Sequence, residues 1–314
     1  MLRDLDKGGD KQINATLAVI AATDPDIVIL TDFDYDFDNR ALGLFALQSG
    51  YPHHFALLPN SGLATGLDMD GDGYLGDGSD AQGFGKFAGD GGMAILSRIA
   101  IRGAQDFSDV LWGDLAGARW PMIADEAFPS QAVFDVQRLS STGHWAVTFA
   151  PDTGPPFHVV TYDATPPVFD GPEDRNGLRN RDELRLAHHI ASGLTGDFVV
   201  AGNANLDPVD GQGYTGAMAA FLAAGLIQDP APRSAGAGLA ADPDHRGDPS
   251  LDTADWPDDG PGNLRVSYVL PSMGWTVADA GVFWPAPDDP DAALLGKDGL
   301  LAGPHHLVWV DVSR

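Results

Sequence analysis

The sequence predicts an α+β fold. Three observations carry that expectation. Short apolar runs bounded by turn residues read as buried strands, among them Asp26-Ile27-Val28-Ile29-Leu30, His158-Val159-Val160-Thr161-Tyr162 and Val199-Val200-Ala201. Segments with helical spacing lie between them. No internal repeat or interdomain linker interrupts the 314 residues, so one domain over 1–314 is expected. Hydrophobic residues make up 44% of the chain, which excludes a disordered class.

The first helix is expected over 11–23, where Ile13, Leu17 and Ile20 share one face and Asp24-Pro25 stops it. The strand 26–30 follows and runs into Thr31-Asp32-Phe33-Asp34-Tyr35-Asp36. A second helix is expected from Asn39 to Gln48, ended by Ser49-Gly50. Residues 60–92 form a long Gly/Asp-rich insert. Gly92 to Arg98 reads as a strand, and 104–130 as loop with short helical turns. Strands are expected near 145–149 and at 158–162, and an amphipathic helix over 181–194 with Leu184, Ala187, Ile190 and Ala191 inward. Gly193 marks its end. His188 and His189 read as exposed helix residues. After the strand at 199–201 come a helix over 216–227, a Pro/Asp/Gly-rich loop over 228–262, and strands at 263–272, 275–283 and the C-terminus.

The net charge is −27, and lysine occurs only at positions 7, 11, 86 and 297. Such a surface repels phosphate backbones and disfavours nucleic acid as a partner. The absence of cysteine excludes disulfides and thiol chemistry. No apolar run reaches membrane-spanning length, and Met1-Leu2-Arg3-Asp4-Leu5-Asp6-Lys7 begins no signal peptide.

Within the acidic insert, Asp68-Met69-Asp70-Gly71-Asp72-Gly73-Tyr74 places carboxylates at relative positions 1, 3 and 5, Gly at 6 and a backbone carbonyl at 7. That is the first half of a calcium loop. The twelfth position is Ser79 rather than Glu, so Asp77 or Asp80 is expected to close the coordination around a structural Ca²⁺.

Gly202-Asn203-Ala204-Asn205-Leu206-Asp207-Pro208 resembles the Gly-Asp-x-Asn-x-Asp-Pro signature of the endonuclease/exonuclease/phosphatase superfamily, the metal-dependent phosphoesterases with a deoxyribonuclease-I-like fold. Further likenesses are the strand Gly92 to Arg98, the run Thr165-Pro166-Pro167-Val168-Phe169-Asp170-Gly171, and Arg265-Val266-Ser267-Tyr268-Val269-Leu270-Pro271-Ser272. The resemblance covers most of the chain and is strongest to a secreted bacterial branch. It implies a four-layered α/β/β/α sandwich of two mixed sheets flanked by helices, and an extracellular or periplasmic location. It also implies that a first family strand, which precedes a segment like Leu2-Arg3-Asp4-Leu5, is missing here. A partner chain that adds a strand is the expectation that follows.

The resemblance places a catalytic set at Asp32, Asn203, Asn205 and His305. Asp32 stands where the family has a metal-binding Glu, so Mg²⁺ or Mn²⁺ is implied only for an active protein. Asn203 stands for the acid that activates water, and an amide has no proton affinity near neutral pH. Asp163 replaces a phosphate-pocket His. Ser267 replaces the Asp that orients the catalytic His, and Pro304 replaces the Asp before it. Four losses from one cooperating unit point to a pseudoenzyme reused as a binding or structural subunit. The alternative is an active phosphoesterase with a rearranged site built from Asp32, Asn205, His305 and the spare carboxylates Asp34, Asp163 and Asp207.

Overall fold

The chain opens with two helices, α1 (Leu2–Lys7) and α2 (Lys11–Thr23). Asp10 caps α2 by accepting from the Ile13 N–H, and Asp24 ends it in the left-handed conformation just before Pro25. Strand β1 (Ile27–Phe33), helix α3 (Arg40–Ser49) and strands β2 (His53–Phe55), β3 (Gly92–Ser97) and β4 (Ala100–Asp106) follow. A two-residue hairpin, β5 (Met122–Ile123) with β6 (Glu126–Ala127), and the short helix α4 (Gln131–Phe134) lead to β7 (His144–Ala150) and β8 (Phe157–Tyr162). Then come α5 (Arg175–Gly193), β9 (Phe198–Asn203), α6 (Thr215–Leu222), α7 (Ala235–Leu239), β10 (Ser267–Pro271), β11 (Thr276–Val282) and β12 (Val308–Ser313). This computed structural model describes residues 1–314. No helix is long and apolar enough to cross a membrane.

Side-chain alternation sorts these elements into four layers. The main sheet has the order β10-β9-β8-β7-β4 and is mixed, because β8 and β9 run parallel. Along β7, Trp145, Val147 and Phe149 face one way and Ala146 the other, as the period of two requires. The first set packs with Met93 and Ile95 of β3, forming the core between the sheets. Ala146 joins Val160, Val200 and Leu270 against Leu184, Ala187 and Ile190 of α5. The second sheet has the order β1-β3-β2, and its outer face packs on α1, α2 and α3 through Leu5, Ile20, Leu42 and Phe45. The expected helix–sheet–sheet–helix arrangement is therefore the observed one.

The strands of the second layer form two separate sheets. β1 pairs only with β3, and β12 pairs only with β11 in a separate hairpin. β3, flanked on both sides, is buried at all six positions. β1 is only half-buried over most of its length.

Several boundaries differ from the expected ones. β4 lies partly within a segment that reads as loop, because only Ala100 and Ile101 are half-buried and the rest of this edge strand is exposed. α5 starts at Arg175, six residues before the expected 181, and its first turns bury polar side chains that carry no apolar period. α6 stops at Leu222, and α7 interrupts the expected loop 228–262. The smaller sheet is antiparallel throughout rather than mixed. His189 is exposed, whereas His188 is half-buried with its ring edge-on to Phe221.

Candidate functional site

The ends of three neighbouring strands converge. Asn203, the last residue of β9, lies opposite Ser267 of β10 and bridges in parallel to Asp163, the residue after β8. Gly202 permits that approach, since a Cβ there would fall 2.1 Å from the Tyr162 carbonyl oxygen. Asn203 Nδ2 donates to Asp163 Oδ1 at 2.9 Å, and Asn203 Oδ1 accepts from the Asn205 N–H at 3.1 Å. Asn205 sits in the left-handed region at φ 47 and donates Nδ2 to the Ala164 carbonyl at 2.7 Å. Asp207 accepts from the N–H groups of Val209, Asp210 and Arg265, so its carboxylate braces the loop and is not free for a ligand.

His305 reaches the same cluster from the segment before β12. Its Nδ1 lies 3.5 Å from Ser267 Oγ, and Trp256 packs against its ring edge-on. No carboxylate faces it, and burial lowers its pKa to about 4, so the ring is neutral at pH 7. Asp163 is pushed up to about 7, first by burial and then by Glu183 and Asp32. Asp32 is placed by a bulge: Thr31 and Asp32 together stand opposite Met93, and Asp32 takes φ 55. Desolvation and the neighbouring Asp34 and Asp90 raise its pKa. No cation offsets these carboxyls. Asp32 also has no pair of converging ligand groups around it.

The loops that carry these residues are held from beneath by a buried polar face of α5. Glu183 accepts from the Ser141 N–H and Oγ and from the Thr165 N–H. Asn180 donates to the carbonyls of Thr165 and Ala204. Arg179 donates to the carbonyls of Gln82, Arg138, Leu139 and Ser140. All three are almost wholly buried.

A profile of the endonuclease/exonuclease/phosphatase family matches residues 5–310. The chain belongs to that family. Among solved structures it resembles the endonuclease/exonuclease/phosphatase from Beutenbergia cavernae at 15% identity and a TM-score of 0.58, covering 96% of this chain and 65% of that one. A family protein from Leptotrichia buccalis gives 14% identity and a TM-score of 0.53 over 96% and 93% of the two chains. The human Nocturnin catalytic domain gives 16%, 0.52, 98% and 87%. At these identities the likeness is one of fold, the deoxyribonuclease-I-like sandwich. No curated protein matches the sequence.

Of the residues that the family resemblance singles out, Asp163, Asn203, Asn205, Ser267 and His305 come together, and Asp32 is near enough to raise the Asp163 pKa. Pro304 lies beside them and contributes its backbone carbonyl to the Asp255 N–H. In the acidic insert, carboxylate oxygens of Asp68, Asp70 and Asp80 lie within 4.8 Å of one another. Asp77 instead caps a turn at Ser79, Asp72 accepts from the Tyr74 N–H, and neither joins that group. Sequence reasoning missed the three α5 residues. The signal available was the unbroken polar run Arg179-Asn180-Arg181-Asp182-Glu183 on a helix with an otherwise apolar stripe.

Asp163 keeps its proton in the folded chain at pH values where the unfolded chain, with the ordinary aspartate value of 3.8, has released it. The folded state is therefore penalised progressively as pH rises from about 4 through about 7. Asp163→Asn removes that penalty. Its stability advantage over wild type in urea titrations should grow by more than about 1 kcal/mol between pH 5 and pH 8. A constant difference would show that the carboxyl titrates normally.

Proposed function

We propose that this family member retains the phosphoesterase fold without phosphoester hydrolysis and serves as a binding or structural subunit. The observation that carries this reading is the hydrogen bond from Asn203 Nδ2 to Asp163 Oδ1. A hydrolytic site of this kind needs a base to activate water and positive charge to receive phosphate. Here the position of the base is an amide, and its donor is spent on a carboxyl that stands where phosphate would sit. The neutral His305 adds no charge, and Ser267 gives it no anionic partner. Asp32 has no converging carboxylates to complete an octahedral Mg²⁺ or Mn²⁺ site.

One observation favours the second reading, an active enzyme with a rearranged site. Asp163 at about 7 has the proton affinity of a working general acid–base group. Hydrolysis of bis-p-nitrophenyl phosphate with Mg²⁺, Mn²⁺ or Ca²⁺ separates the two. Wild type should give no turnover above His305→Ala, and the combined change of Asp163→His, Asn203→Asp, Ser267→Asp and Pro304→Asp should raise the rate by at least about 100-fold. Wild-type turnover lost in both His305→Ala and Asp163→Asn would establish the second reading.

The acidic insert fits a structural Ca²⁺. Asp68, Asp70 and Asp80 supply hard oxygen ligands from one loop, and an ion would offset their mutual repulsion. An exported setting, extracellular or periplasmic, is the location that goes with such a site. Calcium at about 100 times its dissociation constant should stabilise the fold by about 2.7 kcal/mol, read as a rise in thermal midpoint over EGTA-treated protein. Asp70→Asn should abolish most of that rise. An equal rise in the variant would place the ion elsewhere.

A further inference from the structure

The acidic insert and the run from Val168 to Asn176 are distant in sequence and meet at a cavity of about 270 Å³. Two local bends shape its walls. Gly71 takes φ 78 and lets the insert close on the segment Phe128-Pro129, where a Cβ on Gly71 would fall 3.0 Å from Pro129 Cβ. On the other side Asn176 braces the loop, donating its N–H to Asp170 Oδ2 and its Nδ2 to the Val168 carbonyl. That brace holds Phe169 out at the rim. Phe169 sits at φ 67, a region that bulky residues rarely enter, and is 90% exposed. A ring kept in water at the edge of a cavity adds nothing to the core, and Phe128 gives the cavity a second aromatic wall.

Arg175 lines the same cavity. Its Nη2 donates to Gln137 Oε1 at 2.9 Å, whereas Nε and Nη1 make no hydrogen bond. Burial lowers the pKa of the guanidinium, while Asp70, Glu173 and Asp170 are close enough to raise it. None of them forms an ion pair with it, although Arg181, Arg185 and Arg265 each meet a carboxylate directly. The carboxylates are half used as well. Asp70 accepts from the Asp72 N–H, Asp72 from the Tyr74 N–H, Asp170 from the Asn176 N–H and Glu173 from the Gly171 N–H, each through one oxygen. Spare donors and spare acceptors therefore share one cavity without touching, between two aromatic rings.

We propose that this cavity binds one neutral sugar residue of a glycan, with its hydroxyls shared between Arg175 and the carboxylates and an apolar ring face laid on Phe169. A hydroxyl donates and accepts at once, which is what the lining asks for. An anion would satisfy Arg175 but meet four carboxylates, and a cation would leave the Arg175 N–H groups unmatched. The C–H bonds of a sugar ring carry the partial positive charge that an aromatic face attracts. The volume lies just below the range of about 300–1,000 Å³ that holds drug-sized ligands, so one ring fits and the rest of the glycan extends into solvent. Asp70 is shared with the calcium group proposed above; Asp72, Asp170, Glu173 and Arg175 are not. The inference goes beyond the non-hydrolytic reading and does not rest on it, because none of these residues belongs to the cluster around Asn203.

The probes are the methyl α-glycosides of glucose, galactose and mannose, titrated into the full chain with Ca²⁺ present and followed by NMR at the Arg175 Nε–H and the Phe169 ring. At least one glycoside should shift both signals to saturation in the millimolar range. Phe169→Ala should weaken that binding by about fivefold or more at an unchanged thermal midpoint, and Phe169→Tyr should retain it. No saturation by any of the three, or equal affinity in Phe169→Ala, would overturn the proposal. So would saturation of the same signals by spermidine, glycine or inorganic phosphate in place of the glycosides, which would assign the cavity to a charged ligand.

Discussion

Glu183 is a carboxylate without access to water, and the candidate site depends on how that group is satisfied. Its two oxygens accept from Ser141 twice and from Thr165 once; burial raises its pKa, and the Arg179 charge and these bonds offset part of that rise. A buried charge left unpaired costs several kcal/mol, so these bonds are obligatory rather than decorative. They tie the loop before β7 and the loop after β8 to one turn of α5. Asn180, one turn earlier, ties the second loop to the segment after β9. Asp163 and Asn203 are thereby set side by side on a frame that cannot shift without exposing Glu183, Arg179 or Asn180.

That frame explains how the site can change its chemistry and keep its geometry. The contacts that fix it are made chiefly by α5 and by main-chain groups rather than by the side chains at positions 163, 203, 267 and 304. Different side chains at those four positions alter charge and proton affinity while β8, β9 and β10 hold their register. Asp34 and Asp90 raise the pKa of Asp32, and Asp32 in turn raises that of Asp163, so carboxyl groups crowd one another beside the cluster.

Much of this was legible in the sequence. The apolar runs at 27–30, 158–162 and 199–201 are strands in the structure, and the stripe Leu184, Ala187, Ile190 and Ala191 is the buried face of α5. The motif around Gly202 pointed to the candidate site through its likeness to the family signature, and in the structure Gly202 allows a close backbone approach and Asn205 takes a left-handed turn. The polar half of α5 left only the run Arg179 to Glu183 as a mark, and that this run is buried follows from three-dimensional pairing rather than from local pattern. Edge strand β4 was hidden for a related reason: an exposed strand has no apolar alternation to read. The calcium pattern gave Asp68 and Asp70, but only the turn at 78–80 reveals that Asp80 rather than Asp77 folds back onto them.

The central claim is that the cluster around Asn203 and Asp163 no longer receives phosphate. Isothermal titration of inorganic phosphate into the protein at pH 8, with Mg²⁺ present, tests it most directly, because Asp163 is then ionised. The account predicts no saturable heat up to millimolar phosphate. Saturable binding that is lost in Asn205→Ala and in His305→Ala would contradict it and restore the site to the chemistry of its family.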